Sequence, residues 1–542
     1  MNMTINENTS VEQLGKLFQI SLPADRTSEW ANIIREVVPG SIVIQGANVS
    51  IASDIAGFAW RIRSICLDAG ITRERFPLIG ITQEGGWISR VTDIANSPGN
   101  MALGAAGSVT STYASYRAMA EELRSLGIDW DLAPVVDVNT EPSNPIIGVR
   151  SFGDDPKAVS AHSLAALDGL EDGGLLSCVK HFPGHGATSS DSHITLPRLD
   201  LSLEELERCD LLPYRESIRR GSDSIMISHV AFPAIEGRGR LLPATLSKKI
   251  TTGLLRERLG YDGLVVTDSL SMSAVADNFP AESVPVSAID AGADILECAS
   301  PEMYMVMFHS LRSAVASGRV GGERIARSIR RFDDLRRTHA ALGRRKRGTA
   351  RWSRQARYSA TRASLVSSVT LVGRRIRMPL LKGCEAVHSF YFSRSAMLED
   401  RGITEGSSPL SQIFREWGFT GGRHFTAPRN ISSAQAGEMS QLAAAHAGKN
   451  DFLVVFTNDA LASKQTKGRR PQIDFTMQIH ELMEGRVAAV GTGTPYEAEL
   501  LKGIPYVCAY SFRKEALSAA VGVLAGGMAA QGRLPVKMQG VQ

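Results

Sequence analysis

Several things are missing from this chain, and each absence narrows its function. Its six cysteines (Cys66, Cys178, Cys209, Cys298, Cys384 and Cys508) are scattered over 542 residues and form no CxxC pair. That argues against a disulfide framework and reads as buried, reduced thiols. No uninterrupted apolar run reaches the roughly 18–20 residues that span a bilayer, so no membrane partner is expected. The start, MNMTINENTSVEQLGKLF, lacks a basic segment followed by an apolar one. A secretory signal is therefore not expected, and a cytoplasmic location is. Charge of one sign is also scarce, since the formal net charge is only +4. Eight Lys/Arg and no acid fall between Arg344 and Arg362, so the remainder is net acidic. Aromatic residues are sparse within that run, which argues against a nucleic-acid partner.

What is present is a long, apolar-rich chain. At 542 residues with 43% apolar residues, it predicts two or three domains with large cores. Eight short β-rich runs recur: KLFQISL, GSIVIQG, LIGITQE, DWDLAPVVDV, LLSCVKHFPG, SIMISHVA, GLVVTDSL and ADILECA. Helix-like segments such as SLEELERCDLLPYRESIRRG lie between them. Continuous apolar strands alternating with helices imply parallel strands covered on both faces. Eight units predict a (β/α)8 TIM-type barrel over residues 1–340. Residues 341–367 read as a basic linker or an exposed helix between domains. From 368 to 542 the pattern restarts with VTLVG, AVHSFYF, DFLVVF, RVAAVGTG and YVCAYS. These predict an open C-terminal α/β sandwich domain. GTGTPYEAELL there lacks the GxxxxGK[ST] pattern and is a weak phosphate-loop signal.

The segment KHFPGHGATSSDSH, Lys180 to His193, carries the densest chemistry. It holds three histidines, an aspartate, a lysine and three glycines. In a parallel barrel, functional groups gather at the C-terminal strand ends. Thr82, Glu84 and Arg90 follow the third run, and Arg150 lies beyond the fourth. Lys180 and His181 end the fifth, His229 the sixth and Asp268 the seventh. Asp268 alone could be a helix cap; convergence on one rim favours function. In DSH, Asp191 and His193 can point the same way on an extended loop. The acid could then orient one imidazole nitrogen and leave the other to transfer a proton, or the pair could be a solvated turn. A zinc site from His181, His185, Asp191 and His193 is conceivable by ligand type. Lys180 would repel the cation and Pro183 breaks helical spacing, so no metal or other cofactor is expected.

Taken in order, QEGG, LAPVVDV, GVRSFG, KHFPGHG, DSH and TDSLSM resemble the family 3 glycoside hydrolases, most of all their cytoplasmic β-N-acetylglucosaminidase branch. The resemblance runs from about Leu14 to Arg337 and continues more weakly to ALSAAVGVLAGGMAAQGRLPV. It implies a retaining exo-β-glycosidase acting on a small-molecule glycoside. Asp268 stands at the family's nucleophile position and His193 at its acid/base position, with Asp191 orienting His193 and stabilising its charged form. Arg90, Arg150, Lys180 and His181 stand at sugar-binding positions, with His229 on the same rim.

Two positions depart from the family's pattern. Thr82 occupies the place of an aspartate that grips outer sugar hydroxyls, and Trp87 that of an arginine. A charge-assisted hydrogen bond contributes roughly 1.5–3 kcal/mol, against about 0.5–1.5 for a neutral one. Either the sugar differs there, or another group compensates, or the site is weakened. The expected function is hydrolysis of terminal β-linked N-acetylhexosamine-like sugars, with altered specificity. A glycoside phosphorylase, a natural-product-trimming glycosidase and a non-catalytic sugar-binding protein are the rivals. A homodimer is left open.

Overall fold

The computed structural model describes residues 11–23, 27–45, 51–192, 194–237, 241–345, 352–373, 376, 378–393, 404–405, 409–458 and 470–539. The chain divides into two compact units. The first comprises Met1–Ser97, Thr112–Glu141 and Asp155–Thr361. The second comprises Pro98–Ser111, Pro142–Asp154 and Arg362–Gln542.

Eight short parallel strands organise the first unit: β1 (Phe18–Pro23), β2 (Ser41–Gln45), β3 (Leu78–Ile81), β4 (Trp130–Asp131), β5 (Val179–Phe182), β6 (Ser224–Ile227), β7 (Leu264–Thr267) and β8 (Leu296–Cys298). Ladders join them in the order β4-β3-β2-β1-β8 and β5-β6-β7. Parallel bridges Trp130–Leu176 and Val135–Lys180 join β4 to the β5 segment, and Val266–Ile295 joins β7 to the β8 segment. The ring therefore closes as the predicted (β/α)8 barrel.

Side-chain alternation sorts each strand between helix layer and barrel interior. On β1, Phe18 packs edge-on against Tyr304 at 5.2 Å, on the helix Pro301–Ala316. Gln19 and Ser21 therefore point the other way, and the Ser41 hydroxyl donates to Gln19 Oε1 (3.1 Å). Trp130, Cys178, Met226, Val266 and Ile295 form one apolar cluster with Phe332 and Leu335 of the helix Gly322–Arg345. Polar side chains lie nearer the C-terminal strand ends, where the candidate site is built.

The basic stretch is helical on both sides of residues that lie outside the description: Gly322–Arg345 and Arg354–Ser368. Arg357 Nε donates to Glu122 Oε1 (2.7 Å), and the Arg117 guanidinium sits 4.7 Å from the Trp352 ring centre. Arg357 and Trp352 are thereby tied to Glu122 and Arg117 of the helix Val109–Ser125.

In the second unit, seven strands run in the order β11-β12-β10-β13-β14-β15-β9. They are β9 (Thr370–Val372), β10 (Val387–Ser393), β11 (Thr404–Glu405), β12 (His424–Pro428), β13 (Phe452–Thr457), β14 (Val487–Gly491) and β15 (Tyr506–Cys508). The central five are parallel; β9 and β11 pair antiparallel at the edges. Apolar clusters cover both faces. Ile413, Phe414 and Leu524 lie in one, Met439, Phe475 and Ile479 in the other. That is the predicted open α/β sandwich. The sequence pattern missed β11 and β12, because β11 is two residues long and HFTAP is short and ends in proline. Among the described residues, no helix is long and apolar enough to cross a membrane.

Candidate active site

The most buried charges of the barrel mouth come from three adjacent strands. Lys180, on β5, is only 3% exposed, and its ammonium donates to Glu84 Oε1 at 2.7 Å. Burying either charge alone would be costly, so each requires the other. Asp131, ending β4, accepts the Gln83 backbone N–H (2.9 Å). Its Oδ2 makes no hydrogen bond among the described residues. Burial raises its pKa well above the usual carboxylate range, against the pull of Lys180. The buried Cys178 thiol lies among Lys180, Asp268 and Asp131 and is pushed up to about 12, chiefly by burial. Asp268 is therefore brought to the same interior as the lysine, although 88 residues separate them in sequence.

Beside this group sits a histidine pair fixed by one acid. His181 Nδ1 and Asp137 Oδ2 are 2.7 Å apart, and Asp137 Oδ1 accepts the His185 backbone N–H at 2.8 Å. Burial pushes the Asp137 carboxyl up, but His181 and His185 outweigh it and the net shift is downward. His185 is engaged at both nitrogens, by Thr188 Oγ1 (2.8 Å) and Ser192 Oγ (3.2 Å). The KHFPGHG loop is compact because it has no room for side chains. A Cβ on Gly186 would lie 1.8 Å from the Val138 carbonyl oxygen, and one on Gly184 would meet the Asp210 carboxyl at 2.7 Å.

The remaining candidates are placed as follows. Thr82 is the residue after β3 and is half-buried. Arg90 donates its backbone N–H to Gln83 Oε1 (2.6 Å), and its buried Nε makes no hydrogen bond among the described residues. His229 Nδ1 lies 2.7 Å from Thr245 Oγ1 and Nε2 2.8 Å from the Ser269 carbonyl oxygen. Both of its nitrogens thus face protein partners. Asp191 is buried, and its carbonyl accepts the N–H groups of Ile194 and Thr195. His193 lies outside the described residues. Arg150 belongs to the second unit, where its carbonyl accepts from Asn100 Nδ2 (2.7 Å). Among the described residues, no three His, Cys, Asp or Glu come together to hold a metal ion.

Sequence reasoning assigned no role to Asp137, Asp131 or Glu297. Asp137 was within reach, because LAPVVDV ends a strand on an acid. Asp131 and Glu297 sit inside apolar runs, where nothing local separates a buried functional acid from a structural one.

A closed parallel barrel with an acid after β7 and a buried Lys/His/Asp cluster at the ends of β4 and β5 is the architecture of an enzyme that binds a polar substrate at its strand ends. Residues 9–335 match the Glycosyl hydrolase family 3 N terminal domain, and the chain belongs to that family. It is 34% identical over 334 residues to the Beta-hexosaminidase A of Pseudoalteromonas piscicida, a match covering 57% of this chain and 55% of that protein. Against Beta-hexosaminidase LpqI of Mycobacterium tuberculosis it is 35% identical over 279 residues, covering 49% of this chain and 69% of the relative. The glycoside hydrolase family 3 beta-N-acetylglucosaminidase of Paenibacillus sp. str. FPU-7 superposes with a TM-score of 0.85 at 29% identity, over 98% of this chain and 99% of that one.

Proposed function

We propose that this protein is a retaining exo-β-glycosidase acting on terminal β-linked N-acetylhexosamine-like sugars. The observation that carries the reading is the placement of Asp268. It follows β7, at the mouth of the barrel, around the same buried thiol as Lys180. In the first step the Asp268 carboxylate attacks the anomeric carbon as the bond to the aglycone oxygen breaks. That oxygen takes a proton from His193. In the second step water attacks the same carbon, gives its proton to His193 and releases Asp268. Asp191 orients His193 and stabilises its charged form. Arg90, Lys180 and His181 hold sugar hydroxyl and N-acetyl groups. His229, occupied at both nitrogens, holds the end of β6 against the residue after Asp268. The curated relatives named β-hexosaminidase support the choice of sugar. All six cysteines are free, which supports a cytoplasmic location.

The test is covalent trapping. A 5-fluoro N-acetylhexosaminyl substrate, which keeps the 2-acetamido group, should label the wild type at Asp268, seen as a mass increase on the peptide containing VVTDSLSM. Asp268→Asn should abolish both labelling and turnover of aryl β-N-acetylhexosaminides. Labelling that persists in the variant would remove Asp268 from the nucleophile's role.

A further inference from the structure

Beside Asp268 stands a second buried carboxyl, Glu297, which no step above uses. The Val266–Ile295 bridge sets β7 against β8, and two residues further along each strand come Asp268 and Glu297. Val266 and Ile295 both belong to the apolar cluster inside the barrel. Residues two apart on a strand share a face, so both acids point into the mouth of the barrel. The ladder departs from regularity at this level: the Glu297 N–H donates to the Thr267 hydroxyl (2.9 Å), while its carbonyl accepts from Leu270 N–H (3.0 Å). Glu297 is 3% exposed, as buried as Lys180. The Ser21 hydroxyl, inward-facing on β1, donates to its Oε1.

Among the described residues, Glu297 Oε2 and Ser269 Oγ are held in no well-formed hydrogen bond, although the serine lies close enough to favour the charged form of the acid. The amide nitrogen of Gln19, the register partner of Glu297 on β1, also has no hydrogen-bond partner among the described residues. Buried polar atoms are ordinarily paired, and an orphaned cluster needs a water or ligand to satisfy it. A sugar hydroxyl donates and accepts at once. It can give its proton to a carboxyl oxygen while taking one from a serine hydroxyl or a glutamine amide.

We propose that Glu297, with Ser269 and Gln19, forms a hydroxyl-binding subsite beside the end of β7, between β8 and β1, that sets which sugar the enzyme accepts. The proposal rests on the glycosidase reading above. Glu297 is held by Ser21 so that its second oxygen meets one ring hydroxyl of the sugar bound over Asp268. Burial, followed by the charge of Asp268, holds the Glu297 carboxyl up at about 7. It can therefore serve as donor as well as acceptor near neutral pH.

The experiment compares aryl β-N-acetylhexosaminides with their 3-, 4- and 6-deoxy analogues, using wild type, Glu297→Gln and Glu297→Leu. A subsite residue predicts a specific pattern. Glu297→Leu should lower kcat/KM on the parent glycoside about tenfold or more. It should leave one deoxy analogue within about twofold of wild type, since the contact is already missing there. Glu297→Gln, which keeps hydrogen bonding, should fall between. An equal loss on every analogue would overturn the proposal and assign Glu297 to support of Asp268; an unchanged parent rate would overturn it outright. If the leucine variant fails to fold, the same comparison is read on Glu297→Gln alone. Wild type that turns over none of the panel while remaining unlabelled by the 5-fluoro N-acetylhexosaminyl substrate would overturn the glycosidase reading itself.

Discussion

Glycine and charge act at single positions in this site. Gly186 is required because of where it sits, with the Val138 carbonyl filling the space its side chain would occupy. Overpacking of this kind costs about 1–3 kcal/mol when neighbours can move, and backbone moves least. Gly186→Ala should therefore displace the loop that carries His185 and lower both the melting temperature and kcat, the latter by at least about tenfold. A variant with native melting temperature and native rate would show that the loop has slack. Lys180 makes a different residue-scale point. Beside His181 in sequence it resembles a repeller of metal ions. In the fold it is the buried partner of Glu84, a relationship that strand-end logic pointed toward but did not pair.

Among the elements, β8 is pinned by its N-terminal flank as well as by its ladder. Asp294, fully buried just before the strand, accepts from Arg256, Arg324, Arg331 and the Ser328 hydroxyl. It also accepts the Val265 backbone N–H at 3.1 Å, tying it to β7. Burial pushes its carboxyl up, but the three guanidiniums outweigh burial and hold it below the usual carboxylate range. The folded pKa is depressed, so the associated stability is present above the unfolded pKa of about 3.9 and drains away as pH falls through the lower folded value. Asp294→Ala should cost about 3–5 kcal/mol at pH 7, because it strands buried cations. It should also flatten the loss of stability below about pH 4. Denaturant titrations at pH 7 and pH 3 measure both effects. A small loss at pH 7 would mean that the arginines find other partners.

For the whole molecule, the two units are not consecutive in sequence. Pro98–Ser111 and Pro142–Asp154 leave the barrel sequence and fold with the C-terminal residues. The Arg533 N–H donates to the Ala105 carbonyl (2.9 Å) and the Lys537 N–H to Asp154 Oδ2 (2.6 Å). A Cβ on Gly104 would meet the Phe152 carbonyl at 1.9 Å. A chain cut after Thr361 would keep these segments and lose what they pack on. Such a fragment should aggregate or melt well below the full-length protein, measured by size-exclusion chromatography and calorimetry. A monodisperse fragment of equal melting temperature would show that the segments fold without their partners.

The eight apolar runs were legible because each barrel strand is buried on both faces and short enough to read as one block. The same uniformity hid Asp131 and Glu297, whose neighbours are as apolar as those of any core residue. Local order also determined the motif residues Lys180, His181 and Asp268, since each ends a run and so lies at the rim of a parallel barrel. Only the tertiary structure decided who meets whom: Lys180 with Glu84, His181 with Asp137, Asp268 with Glu297. Those pairings depend on strand register, on barrel closure and on the loss of solvent around charge. These properties arise between strands tens to hundreds of residues apart, so no local pattern records them. The assignment of Arg150 to the second unit was settled in the same way, because its segment Pro142–Asp154 folds with residues Arg362–Gln542.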